Sequence, residues 1–421
     1  MNHINQCITR NLIVFVVSTF AFVTLSASIS PAWSKEEYKV GVVLPLTGPT
    51  EFIGDAQEKA LKMLVETINK NGGVNGIPLK LIIQDTKMSP NCAIATVSGL
   101  VQEHVVAIIG PSLSSTIQAV VATGVNNKIP VVTLAEDIEI HGENSQWMWI
   151  FQTAPSYALR IKAALMRMKS QKISQFLFSG NELSMRRLKP LVSKVAEELD
   201  LNMVEDLSYG LKVDSKMIIS KLQQKASGKA VLFFDPSLPS RHPDFMYSVR
   251  QWGKKAPHQK PSSFYFLGGG LNPMLYTLNM TPRLTKGINA RLVIPKFLYP
   301  DLLPSTQEKQ KNSIISFAEL YKEKYNERIS VYPFYARDAF KLIVQVLQTV
   351  KSKNPQQIRD QIAQTKMFDG LVGKYDFSRD NHNGLSPVVF RAKAQKDDGC
   401  DPGLYPCYTD CENNCCAEDG C

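Results

Sequence analysis

The stretch Val105-Val106-Ala107-Ile108-Ile109-Gly110-Pro111-Ser112-Leu113-Ser114-Ser115-Thr116 decides how this chain reads. Residues 105–109 are a short apolar, β-branched run of the kind that forms a buried strand. Gly110-Pro111 makes a tight turn. The hydroxyl-rich segment then opens a helix predicted over 115–126. Free N–H groups and the positive end of the helix dipole at such a start suit a carboxylate or another anion. The same hydroxyls also serve as ordinary N-caps, so both readings stand at this point.

Working outward, the strand-turn-helix rhythm repeats. Strands are predicted at 40–44, 79–84 and 130–134, and again at 173–178, 230–234 and 263–267. A first helix carries Ala60, Leu61, Leu64, Val65 and Ile68 on one face and stops at Asn71-Gly72-Gly73. Ser89-Pro90 supplies an N-cap followed by proline for the next helix. Further helices are predicted at 157–169, 187–199, 215–224, 244–253, 313–326, 335–351 and 355–364, with a last strand at 385–390. Apolar strands alternating with helices predict parallel sheets covered on both faces. Two such runs predict an α/β chain of two doubly wound lobes. In such sheets ligands bind beyond the carboxyl ends of the strands. That selects the turns at 47–53, 111–116, 134–137, 180–184, 235–237 and 268–270. Asp137 in the third of these offers a carboxylate to an amine, or is a cap or surface acid. Gly268-Gly269-Gly270 lacks a dinucleotide fingerprint and reads as a bend. Asp376-x-Ser378-x-Asp380 lacks the spacing of a calcium loop and reads as a β-turn between strands.

Composition agrees with a folded chain. Of 421 residues, 44% are hydrophobic and 20% charged, which excludes disordered, collagen-like and coiled-coil classes. The length predicts two domains or more. Residues 12–27 are apolar and uncharged, Arg10 precedes them, and Ala32-Trp33-Ser34 suits a cut before Lys35. Residues 1–34 are therefore expected to be a cleaved signal peptide and the chain to be exported to the periplasm. No cysteine follows the apolar run, so a lipid anchor is not expected. The net charge of +10 divides unevenly. Residues 397–421 hold seven acids and no Lys or Arg, so 35–396 carry +16. These cations are scattered over helical faces without an aromatic-interleaved patch. Nucleic-acid binding is not expected; a solvated surface mildly attracted to membranes or acidic partners is. No GxSxG, HExxH or GxxxxGK[ST] occurs, and the six histidines share no ligand spacing. No enzyme activity, resident metal or cofactor is expected of the body.

Six of the eight cysteines crowd the acidic tail as C-x6-C-x3-C-x3-CC-x4-C. In an oxidising compartment this reads as three disulfides, with fifteen possible connectivities. A thiolate metal site is the alternative. Cys92 stands apart.

Taken together, VGVVLPLTGP (40–49) with Gly54-Asp55, INKNGGVNGIPLKLIIQD (68–85), SPNCAIA (89–95), VVAIIGPSLSST (105–116), KIPVVT (128–133), FQTAPSY (151–157), YARDAF (335–340) and FDGLVGKYDFS (368–378) resemble the type 1 periplasmic solute-binding proteins of ABC importers, in their leucine/isoleucine/valine-binding branch. The match runs from about Tyr38 to about Ala394. The resemblance implies two α/β lobes joined by three crossovers and closing on a small solute. The implied divisions are 35–152 and 286–366 for lobe one, 153–285 and 367–396 for lobe two, and 397–421 as an appended tail. It implies binding rather than chemistry, a membrane permease as partner, and a monomer. It places the solute carboxylate on Ser114, with Ser115 and Thr116 beside it. The amine-binding carbonyl and hydroxyl of the family fall on Ala135 and Asp137, and a wall aromatic near Tyr332. The chain departs from the family in lobe two. The amine-binding glutamate falls on Gly270 and the aromatic wall on Leu183-Ser184. The solute expected is thus small and polar: branched-chain amino acid-like, an amide or a carboxylate. A sensor of the same fold, reporting to a signalling partner, is the alternative role.

Overall fold

A computed structural model of the chain describes residues 36–136, 147–210, 214–234, 248, 251–252, 261–267, 290–298, 300, 303–378, 385 and 390–394. Strand β1 (Tyr38–Leu44) shows why the apolar runs are nearly continuous. Tyr38, Val40, Val42 and Leu44 pack into one core and Val43 into another on the opposite face. A strand covered on both sides leaves little room for polar side chains, and Lys39, next to its start, reaches out to Glu103 at 3.0 Å. Gly41 supplies the close approach: a Cβ there would lie 2.7 Å from Leu100 Cδ1.

In the first sheet, β1 is joined by β2 (Leu79–Asp85), β3 (Ala107–Ile109), β4 (Val131–Thr133) and β5 (Ile150–Gln152), all parallel, in the order β2-β1-β3-β4-β5. Helix α1 (Glu51–Lys70) covers one face; α2 (Pro90–Gln102) and α3 (Ser114–Asn126) pack on the other. The Ser89 side chain caps α2 by accepting from the Cys92 N–H, with Pro90 in the first turn, as the sequence predicts.

After β5 the chain enters a second sheet by way of α4 (Tyr157–Ser170). β6 (Gln175–Asn181), α5 (Glu182–Glu198), β7 (Asn202–Tyr209), α6 (Ser215–Lys225), β8 (Ala230–Phe234), β9 (Ser263–Phe266) and β10 (Ala290–Pro295) follow. The order β7-β6-β8-β9-β10 repeats that of the first sheet. The chain then runs through α7 (Glu308–Tyr325), α8 (Tyr332–Val350) and α9 (Pro355–Gln364). α8 packs along α1, back on the first lobe. A short antiparallel pair, β11 (Phe368–Asp369) and β12 (Lys374–Tyr375), precedes β13 (Phe390–Ala394).

This is the expected two-lobed α/β architecture, with three differences of detail. β13 pairs antiparallel to β10, so the second sheet ends in an antiparallel edge. β10 belongs to the second sheet, so the return to lobe one falls after Pro295 rather than at 286. The last strand occupies 390–394 instead of 385–390. The helix expected at 244–253 falls largely outside the described residues, as do the leader expected at 1–34, the tail at 397–421 and most of the turn after Asp376.

One buried carboxylate ties the crossovers together. Asp338, on α8, is wholly buried. Its Oδ1 accepts from Arg337 Nη1 at 2.7 Å and the Leu371 N–H at 2.9 Å. Its Oδ2 accepts from the Val372 N–H at 3.0 Å and lies 3.1 Å from the Tyr375 hydroxyl. That hydroxyl is also 2.8 Å from the Thr153 carbonyl, and the Thr153 hydroxyl donates to the Tyr335 carbonyl at 3.0 Å. The first and third chain crossings thus meet on one helix. Burial and Asp338 hold the Tyr375 phenol well above its ordinary pKa, so it stays a donor.

Candidate functional site

In each sheet the strand order reverses beside the first strand, between β1 and β3 and between β6 and β8. Loops leave that point in opposite directions and open a crevice at the strands' carboxyl ends. In lobe one the crevice is lined by the loop before α1, the loop before α3 and the end of β4.

The loop before α3 is fixed by its neighbours. Gly110 has φ +101°, and a Cβ there would lie 2.2 Å from the Val43 carbonyl oxygen, so only glycine fits. The Gly110 N–H donates to the Val132 carbonyl at 2.9 Å. The Pro111 carbonyl accepts from the Leu134 N–H and the Thr133 hydroxyl, both at 3.0 Å. The Ser112 hydroxyl donates to Gln57 Oε1 at 2.5 Å. Gln57 is fully buried, and its Nε2 has no partner among the described residues. The helix itself begins at Ser114, with Leu113 at the N-cap and no side-chain cap. The N–H groups of this first turn are therefore not consumed by a capping side chain. The N-cap reading of these hydroxyls is set aside by this geometry. Ser114 is half-buried and its hydroxyl makes no hydrogen bond to a described group; Ser115 is exposed. Thr116 differs: it is buried and its hydroxyl donates to the Leu113 carbonyl at 3.0 Å. Its side chain points back into the helix start, and its N–H donates to the same Leu113 carbonyl at 3.1 Å, so both of its donors are already taken.

At the end of β4, Ala135 is buried, and its carbonyl accepts from Gln152 Nε2 at 2.6 Å. That carbonyl is already engaged where the resemblance assigns it to an amine. Glu136 follows. Its Oε1 accepts from Arg160 Nη2 and from the Tyr335 hydroxyl, each at 2.8 Å. Arg160 lies on α4, is wholly buried, and donates through Nη1 to the Leu267 carbonyl at 3.0 Å, just past β9. One guanidinium thus joins strand ends from both sheets. Burial disfavours its charge, yet Glu136 more than restores it, and the pKa stays above the ordinary arginine value.

Aromatic rings flank this cluster on both sides. Tyr332 is 5% exposed and meets Phe52 edge-on at 6.0 Å and Tyr335 at 6.4 Å. Its hydroxyl makes no hydrogen bond to a described group. Tyr157 meets Phe234, the last residue of β8, at 5.0 Å. The guanidinium of Arg160 lies 5.4 Å from the Tyr157 ring centre. Leu183, the second residue of α5, is 68% exposed. Asn181 caps that helix by accepting from the Ser184 N–H. Asp137 and Gly270 lie outside the described residues.

The structure therefore brings Ser114, Ala135 and Tyr332 to one edge of lobe one and Leu183 to the matching edge of lobe two. Sequence reading missed Gln57, Glu136, Arg160, Tyr157 and Tyr335. Glu136 was within view, one residue before Asp137 in the same strand-end turn. Arg160 gave no signal, being one cation among many on a helical face. Among the described residues no helix is long and apolar enough to cross a membrane, and no group of three or more His, Cys, Asp or Glu is placed to hold a metal ion.

Comparison with known proteins agrees with this fold. The family model described as periplasmic binding protein matches residues 37–237. The leucine-, isoleucine-, valine-, threonine- and alanine-binding protein of Pseudomonas aeruginosa is 33% identical over 99 residues, which is 24% of this chain and 26% of that protein. Leu/Ile/Val-binding protein homolog 7 of Brucella abortus is 26% identical over 380 residues, covering 85% of this chain and 88% of that one. Among solved structures, the branched-chain amino acid transporter substrate-binding protein LivJ of Streptococcus pneumoniae, in complex with isoleucine, superposes with a TM-score of 0.64 at 19% identity. That match covers 85% of this chain and all of the other.

Proposed function

We propose that this chain, a type 1 periplasmic binding protein of the leucine/isoleucine/valine-binding branch, is the solute-capturing component of an ABC importer. It takes a small polar solute between its two lobes and delivers it to a membrane permease. Lobe one receives the solute first, its carboxylate or equivalent anionic group meeting the Ser114 hydroxyl and the first-turn N–H groups of α3. Ser115 completes that wall, Thr116 holds the helix start through the Leu113 carbonyl, and Tyr332 flanks the solute body. Lobe two then closes, bringing Leu183 over the opposite side. The chain is read as a binder without catalytic chemistry, exported through a cleaved leader and acting as a monomer in the periplasm.

The observation that carries this reading is the uncapped start of α3 at the point where the strand order reverses. The N–H groups at such a start lack i−4 acceptors; that of Thr116 turns to the Leu113 carbonyl at 3.1 Å, and no side chain takes any of them as a cap. The test is a thermal-shift screen of the purified chain against amino acids, amides and carboxylates, followed by calorimetric titration of the hits. Ser114→Ala is expected to weaken any hit about tenfold, which corresponds to ~1.4 kcal/mol. An unchanged affinity overturns the site; silence across the library overturns solute capture.

A further inference from the structure

We propose that the groove between α1 and α8, on the helical surface of lobe one, is a second binding site. It takes a small molecule with an anionic head and a short apolar body.

The two helices run side by side away from the cleft. At the cleft end Phe52 of α1 meets Tyr332 of α8 at 6.0 Å. At the far end the Asn75 amide donates to the Leu347 carbonyl at 3.1 Å. Between these ends lies a cavity of about 480 Å³, a volume in the range of small-molecule sites. Leu64 and Ile68 in its wall lie about 18 and 24 Å along α1 from Phe52, at 1.5 Å per residue. The groove is therefore separate from the solute cleft.

Arg337 and Lys341 stand one turn apart on α8, so both face the groove. Arg337 Nη1 donates to Asp338 Oδ1 at 2.7 Å, but its Nε and Nη2 make no hydrogen bond to a described group. Lys341 has no ion pair or hydrogen bond with any described residue. Partial burial of its stem, and then the Arg337 charge, lower the Lys341 pKa. The acid in the described wall, Asp369, is 70% exposed and lies 3.6 Å from Lys374 Nζ. Asp338 is wholly buried and already meets four donors. Neither acid lifts the Lys341 pKa. Two cations on adjacent turns repel each other, and an anion between them removes that cost. The planar guanidinium suits a carboxylate or a phosphate head alike.

The remaining wall is apolar. Leu64 and Ile68 are half-buried, and Val344 of α8 and Phe368 of β11 are buried with them. A bare inorganic anion leaves this floor wet, whereas an alkyl chain covers it. Each methylene fully covered raises affinity up to about fourfold.

The experiment is calorimetric titration with hexanoate and hexyl phosphate, set against acetate, inorganic phosphate and hexylammonium. At least one hexyl anion is expected to bind, tenfold or more tighter than its head group alone, and hexylammonium to stay silent. Lys341→Glu should weaken that binding at least tenfold and Lys341→Arg should keep it. Lys341 is exposed, so an unchanged urea midpoint is expected of both variants; Lys341→Met carries the test if Lys341→Glu does not fold. Ser114→Ala should leave the binding unchanged. Weakening by Ser114→Ala but not by Lys341→Glu puts the probe in the cleft and overturns the inference while solute capture stands. Head groups that bind as tightly as the hexyl anions overturn the apolar body, and hexylammonium binding as tightly overturns the anionic head. Silence from both hexyl anions at about 10 mM overturns the site.

Discussion

Replacing Asp338 by Asn tests whether the crossings are held by one carboxylate. The substitution keeps the shape and removes the charge and one acceptor. Four donors converge on the native side chain, at 2.7, 2.9, 3.0 and 3.1 Å. The new amide nitrogen must face one pair of them. On the Oδ1 side it meets the Arg337 guanidinium and the Leu371 N–H. On the Oδ2 side it meets the Val372 N–H and a Tyr375 hydroxyl that still has the Thr153 carbonyl at 2.8 Å. The second orientation is cheaper, because it strands a single buried donor. That donor costs ~1–3 kcal/mol, and losing charge on the surviving bonds adds ~1 kcal/mol. The expected loss is therefore about 3 kcal/mol, measured as a lower urea midpoint. Hydrogen exchange should accelerate at the Leu371 and Val372 amides before it does so in β1. Tyr375→Phe should cost ~1 kcal/mol, and the two changes should be non-additive because they share a bond. A midpoint within ~0.5 kcal/mol of wild type, or unchanged exchange at those two amides, refutes the argument.

Other perturbations probe the crevice. Gly110→Ala places a methyl 2.2 Å from the Val43 carbonyl at φ +101°, so it should cost at least ~1–2 kcal/mol and impair solute binding; denaturation and titration check both. Leu183→Ser, at a 68% exposed position, should change stability by no more than ~0.5 kcal/mol while weakening any solute that lobe two covers. Asp85 is partly buried, which opposes its charge, but the Thr47 hydroxyl and neighbouring N–H groups hold its carboxyl below the ordinary range. A depressed folded-state pKa adds stability above the unfolded value, about 4, and loses it as pH falls through the folded one. The stability gap between wild type and Asp85→Asn should therefore be full at pH 7 and shrink below about pH 4; a gap that widens with acid would contradict the assignment.

Much of the fold was readable because buried parallel strands are mostly apolar. Strand 230–234 and helix 355–364 stand where the sequence placed them. β7 was missed because it is an edge strand: Glu205 and Asp206 break its apolar run, as edges commonly do. β5, Ile150–Gln152, was missed although it is no shorter than β3 and β4. Helix α5 starts five residues before its predicted position because Asn181, not a residue near Arg187, caps it. At the site, the strand-end turns pointed to Ser114 and Ala135. They could not reveal that the Ala135 carbonyl and the Thr116 hydroxyl are spent on neighbours. Such occupancy depends on Gln152 and Leu113 meeting them in space. The Glu136–Arg160 pair joins residues 24 apart across two lobes, a relation no local pattern encodes.

The packing of α8 along α1 has a consequence for how the chain is made. The inner face of α1 is complete by Lys70, but its covering helix begins at Tyr332, about 260 residues later. At synthesis rates of about 5–20 residues per second, that apolar stripe waits some 13–50 s for its partner. Lobe one is thus begun first but completed only after five of the six strands of the second sheet have been made. Export across a membrane in an unfolded state, as proposed above, would be helped by that delay, because the leading half cannot lock into native structure until the trailing half has emerged.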